Sequence, residues 1–62
     1  MCESNAYLRK GETDEVVLLN VDRIKPVEEG LLLEDIFGTR KVINARIKEL
    51  ALLDHKIILE EV

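Results

Sequence analysis

KVINARIKELALL, residues 41–53, reads two ways. Ile43, Ile47, Leu50 and Ala51 recur at i, i+4, i+7 and i+8, the stripe carried by one face of a helix. Arg46, Lys48 and Glu49 are good helix formers. The other reading breaks the segment near Asn44 and sets Ile47–Leu53 as a strand against Lys56–Glu60, across Asp54-His55. Asn and Asp favour the turn geometries that this reading needs. Periodicity within the segment does not choose between the two.

The flanking sequence leans towards strands. Lys10-Gly11-Glu12, Glu28-Glu29-Gly30 and Phe37-Gly38-Thr39 read as turns at regular spacing. Between them lie short pieces. Residues 3–9 alternate loosely, with Ser4, Ala6 and Leu8 on one side and Asn5, Tyr7 and Arg9 on the other. Glu15–Asn20 is rich in Val and Leu on both faces, the pattern of a strand buried on both sides. Asp22–Val27 alternates Ile24 with charged Arg23 and Lys25. Its Pro26 lacks an amide hydrogen, which places it near a strand end or a sheet edge. Leu31–Ile36 and Lys56–Glu60 complete the set. Short strands with regular turns predict an all-β barrel, and no linker or internal repeat divides residues 1–62, so one small domain is expected.

A chain of 62 residues is marginal as a lone fold, because a domain this small buries only about 60% of its unfolded surface. One cysteine allows no internal disulfide, and one cysteine with one histidine cannot build a structural zinc cage. Yet 47% of the residues are apolar, so association with a second copy is the natural remedy. Nine basic and thirteen acidic residues give a net charge of −4, which disfavours general affinity for phosphate backbones. The longest apolar runs have four residues, Val16–Leu19 and Leu50–Leu53, too short to span a membrane. No apolar signal segment opens the sequence, so a reducing cytoplasm is the expected compartment.

Catalytic signatures are missing from the sequence. Glu28-Glu29, Glu34-Asp35 and Glu60-Glu61 have no accompanying nucleophile and read as solvated charge. There is no phosphate-binding loop and no dinucleotide fingerprint. An enzyme is not expected. Arg40, Lys41, Arg46 and Lys48 form the one basic cluster, with Arg40, Arg46 and Lys48 on a shared strand face. With Tyr7 and Phe37 as the only aromatics, a stacking platform for single-stranded RNA is thin. His55 reads as an exposed turn histidine with no second ligand at helical spacing.

Cys2 is the residue with distinctive chemistry. A lone cysteine is most often a small packing residue. At position two, however, removal of Met1 would leave its thiol and a free α-amine on one carbon skeleton. Together they close a five-membered chelate, and the backbone amide of Glu3 can add a third donor if it loses its proton. Nitrogen and thiolate in a planar array suit nickel(II) or copper(II). The α-amine has a pKa of about 7.7–8.0 and yields its proton more readily than a lysine. One chain supplies too few donors for a closed site; two chains about a twofold axis would pair their Cys2 residues.

Met1-Cys2-Glu3, Gly30 followed by Leu31-Leu32-Leu33, Asp35-Ile36-Phe37-Gly38, and Ala45-Arg46-Ile47 followed by Leu53-Asp54-His55-Lys56-Ile57 resemble the small CooT-type proteins over essentially the whole chain. That resemblance implies strands rather than a helix in residues 41–53, within an SH3-like β barrel that forms a homodimer. It also implies nickel(II) binding through Cys2 and an accessory role in maturing carbon monoxide dehydrogenase. Similar proteins have also been described as RNA-binding. A small RNA-binding module, or a metal-free protein-interaction module, is therefore the alternative expectation.

Overall fold

The computed structural model describes residues 3–62. It contains six strands, β1 (Ser4–Lys10), β2 (Thr13–Val27), β3 (Gly30–Asp35), β4 (Arg40–Ile43), β5 (Ala45–Ala51) and β6 (Lys56–Glu61), with a 3-10 turn at Leu52–Asp54. They form one sheet in the order β4-β3-β2-β1-β6-β5. Every neighbouring pair is antiparallel except β1 and β6, the first and last strands, which run parallel with Ala6 opposite Ile57 and Leu8 opposite Leu59. The fold is an all-β small barrel, curled but incompletely closed.

Residues 41–53 are not a helix. The segment breaks at Asn44, as the strand reading requires, and β5 pairs with β6 from Ala45 opposite Glu61 to Ala51 opposite Lys56. The strand is shifted towards the N-terminus of the range expected, because Leu52 and Leu53 belong to the 3-10 turn. His55 then takes a left-handed backbone (φ 55°) to reverse the chain into β6. The helical spacing of Ile43, Ile47, Leu50 and Ala51 is overridden by non-local pairing with β6.

β2 departs furthest from expectation. Two strands were expected, at Glu15–Asn20 and Asp22–Val27, but one strand of 15 residues runs through both. Asn20, at φ 56°, and register shifts on either side let it bend rather than end. Its first half pairs with β1 and its second half with β3. Among the described residues, only β3 flanks β2 beyond Val21, which is where Pro26 can lack an amide hydrogen without losing a ladder bond. The two-sided burial expected of Glu15–Asn20 does not occur: Val16 and Leu19 are exposed, while Val17 and Leu18 pack on the core. The bulge sets adjacent side chains inward and leaves the others to solvent.

Residues opposite one another in a ladder share a face. Ala6, Val21, Leu31, Leu33, Ala45, Ile57 and Leu59 gather on the concave face, with Leu8, Val17, Leu18, Ile24 and Ile43 packed around them. Leu33 and Leu59 are completely buried. Each such side chain contributes about 1.5–3 kcal/mol by leaving water. Gly30 closes one corner. With φ at 135°, it lies so near the Ile43–Ala45 corner that a Cβ there would overlap the Ile43 carbonyl oxygen. The β3–β4 turn is held by Asp35, whose Oδ1 accepts from the amides of Phe37 (2.8 Å) and Thr39 (2.9 Å).

Candidate metal centre

Cys2, the expected metal ligand, lies outside the described residues. Glu3, whose amide is the expected second donor, is exposed and stands immediately before β1. From Ser4 onward the chain is tied down. Ser4 pairs with Val21. The Asn5 amide donates to the His55 carbonyl oxygen at 2.8 Å, and Asn5 Oδ1 accepts from the Asn20 amide at 3.1 Å. The Asn20 carbonyl oxygen in turn accepts from the Ile36 amide at 3.0 Å. Three elements thus fix the start of β1, immediately after Glu3.

This anchoring is local chemistry. The left-handed backbone at Asn20 and at His55 turns an amide in one case and a carbonyl in the other towards Asn5. Asn tolerates that conformation well. The sequence predicts an exposed turn histidine at His55. The structure places it half-buried, with its main chain against Asn5, three residues from Cys2. The periodicity of the sequence carries no sign of this, because it depends on the parallel β1–β6 pairing. Among the described residues, no three His, Cys, Asp or Glu side chains converge in a way that could hold a metal ion.

The fit of Cys2 and Glu3 to nickel rests on donor chemistry. With Met1 removed, a Cys2 thiolate, its α-amine and a deprotonated Glu3 amide would be strong-field donors in adjacent positions of one chain. They favour the planar geometry that nickel(II) and copper(II) adopt and magnesium or calcium does not.

The basic cluster is dispersed. Arg40 lies on β4, at one end of the strand order, and bonds Glu34 at 3.0 Å. Arg46 and Lys48 lie on β5, at the other end, and share Glu60 at 2.9 and 3.4 Å. Arg46 and Lys48 hold the Glu60 carboxyl below the usual carboxylate range, outweighing its partial desolvation. Lys41 donates to the Val17 carbonyl oxygen at 3.1 Å. Arg46 and Lys48 share a face as expected, both reaching Glu60, whereas Arg40 lies on a different strand and pairs with Glu34. Tyr7 is engaged by Lys56, whose ammonium lies 5.7 Å from the ring centre. Glu28-Glu29 occupies the β2–β3 turn. Among the described residues, no helix is long and apolar enough to cross a membrane.

Comparison with known proteins agrees with this geometry. The family model described as CO dehydrogenase accessory protein CooT matches residues 1–60. A crystal structure assigned as CooT from Carboxydothermus hydrogenoformans is 54% identical, with a TM-score of 0.94 over 98% of each chain. A search of curated proteins gave no significant match. The family match includes the N-terminal residues and spans all six strands up to Glu60. The chain belongs to the CooT family of CO dehydrogenase accessory proteins.

Proposed function

We propose that this chain is a nickel(II)-binding accessory protein that carries the metal at paired Cys2 residues of a homodimer and gives it to a carbon monoxide dehydrogenase. The observation that supports this most is the family match from residue 1, joined to a cysteine at position two. Its role is carriage rather than catalysis, in a reducing cytoplasm that keeps the thiol free. One small barrel domain, residues 1–62, suffices for it.

Each residue has a defined task. The Cys2 thiolate is the first ligand. The α-amine freed by loss of Met1, or the Glu3 amide nitrogen, is the second. Asn5, Asn20 and His55 hold the base of the N-terminal segment, so that the donors project from a fixed point. A site carried on the chain end permits ligand exchange with a client's own thiolates or imidazoles. Proton competition for the thiolate and amine makes affinity fall with pH.

Nickel titration of Met1-free protein, followed by thiolate-to-nickel charge-transfer absorption, tests this reading. The expected result is saturation near one nickel per two chains, absent in Cys2→Ser. Retention of Met1 moves the amine away from the thiol and should weaken binding. A signal indifferent to Cys2→Ser would refute the proposal. A salt-sensitive shift of short RNA by the metal-free protein would instead favour the RNA-binding alternative.

A further inference from the structure

Three exposed apolar residues gather around the bend in β2. Leu19 immediately precedes Asn20, whose backbone makes the bend. Ile36 follows β3, and its amide donates to the Asn20 carbonyl oxygen at 3.0 Å. Phe37 comes next, in the β3–β4 turn. Leu19 is 52%, Ile36 45% and Phe37 78% exposed. The turn that presents Phe37 is braced. Asp35 Oδ1 accepts from the Phe37 and Thr39 amides, and the Gly38 amide donates to the Asp35 carbonyl oxygen at 3.1 Å. An aromatic side chain on a turn fixed in this way has little backbone freedom left to lose on binding. Charge around the bend is one-sided. Asp22 lies two residues past Asn20, Glu3 precedes Ser4, and Asp54 precedes His55; all three are exposed. None of them enters an ion pair among the described residues. The cations that open β4 and β6 are turned to other partners: Arg40 to Glu34, Lys41 to the Val17 carbonyl oxygen, and Lys56 to the Tyr7 ring.

We propose that Leu19, Ile36 and Phe37 form a docking tip for the enzyme that receives the metal, and that they enter an apolar pocket rimmed by Lys or Arg on that enzyme. The proposal rests on the carrier reading above and names the surface that recognises the client. Three observations select this occupant. The first is shape. The tip is a protruding turn, and no cavity opens among the described residues, so the partner supplies the concave side. Aromatic residues are enriched at the centres of such interfaces. The second is charge. Exposed Asp22, Glu3 and Asp54 complement a basic rim, whereas a second copy of this chain would bring the same acids against them. The third is position. Asn20 holds Ile36 through its carbonyl oxygen and donates its amide to Asn5 Oδ1 at 3.1 Å. One residue therefore ties the tip to the start of β1, three residues from Cys2. Two strand spacings, about 10 Å, separate β3 from β1. A protein seated on the tip is held at the end of the sheet where the N-terminal residues join it.

Calorimetric titration of the metal-free full chain into nickel-free carbon monoxide dehydrogenase, at low and high salt, tests the tip. The wild type should bind, and bind less tightly as salt rises. Phe37→Ala should weaken binding by about tenfold or more, as loss of an interface anchor does. Asp22→Asn should weaken it less and flatten the salt dependence. Val62→Ala alters a similarly exposed residue at the Asn44 corner, beside the other end of β3, and should bind as the wild type does. Circular dichroism reports folding; if Phe37→Ala unfolds, Leu19→Ser decides. No binding by the wild type, an unchanged affinity in Phe37→Ala, or an equal loss in Val62→Ala would overturn the tip, while nickel titration judges the carrier reading separately. Sedimentation of Phe37→Ala as single chains, where the wild type sediments as pairs, would make the tip a contact between copies and also overturn the proposal. A wild type that docks through Phe37 but binds no nickel would overturn the carrier reading and keep the tip.

Discussion

β5 and β6 are adjacent strands of one ladder, and both are rich in Ile and Leu, yet their fates differ. β6 (KIILEE) has β1 on one side and β5 on the other, and Ile57, Ile58 and Leu59 are all buried. β5 (ARIKELA) has β6 alone, and of its residues only Ala45 is buried. β6 offers three consecutive apolar residues where β5 intersperses Arg46, Lys48 and Glu49, and strand order adds to that difference. Ile57 and Leu59 are buried because strands lie on both sides and the sheet curls over them, while Ile58, on the opposite face, is buried outside that core cluster. β5 is covered only at the Gly30 corner.

The largest expected effect is on the β6 side. Leu59→Ala removes a fully buried side chain and should cost about 2–5 kcal/mol in denaturant unfolding. A domain of this size has little more than that to lose. Leu50→Ala, in protein dilute enough to be single chains, should cost under about 1 kcal/mol, as surface changes do. Equal costs would break the comparison.

Next is the closed corner. Gly30→Ala adds a methyl against the Ile43 carbonyl at a positive φ, so the corner must open or the backbone must change. A loss of about 3 kcal/mol is expected from strain of this kind, read as a lowered thermal midpoint. An unchanged midpoint would show that β5 is not held there.

The open end predicts a smaller effect. Leu53→Glu alters a side chain that is almost fully exposed and should leave the thermal midpoint of dilute protein nearly unchanged. A lowered midpoint would show that this end is covered within one chain.

The smallest effect is electrostatic. The Glu60 carboxyl is lowered by its hydrogen bond to Arg46, and further by Lys48; Asp14 is likewise lowered by Arg9. A carboxyl depressed in the folded state adds stability that is fully present above its unfolded pKa. That stability is lost as pH falls through the folded value, so the fold should weaken in acid, below the ordinary carboxylate range. These pairs are exposed, and the contribution is modest. Glu60→Gln should lower the neutral plateau slightly and make the acid limb of a stability–pH curve shallower, leaving stability at low pH nearly unmoved. A steeper acid limb would contradict the sign.

The turns were legible because they need special residues: Gly11, Gly30, Gly38 and the Asp54-His55 pair mark four of the reversals seen. The alternation of Ala6 and Leu8 against Tyr7 and Arg9 also predicted the buried side of β1. What could not be read is non-local. Nothing near Asn20 says that β2 bends instead of ending, since Asn serves a turn and a bulge equally well. Nothing in β5 says that it has one neighbour and β6 two. The parallel pairing of the chain's two terminal strands, which brings His55 to Asn5, leaves no local trace. At the candidate site, the proposed role of Cys2 comes from its position in the sequence, whereas the anchoring of the segment behind it required the sheet.

Native mass spectrometry of Met1-free protein loaded with nickel tests the central claim most directly, that two chains share one metal at their N-terminal ends. The account predicts a dominant species of two chains and one nickel. Cys2→Ser should lose the metal and keep the dimer. One nickel on each single chain, or two on each dimer, would contradict a shared site.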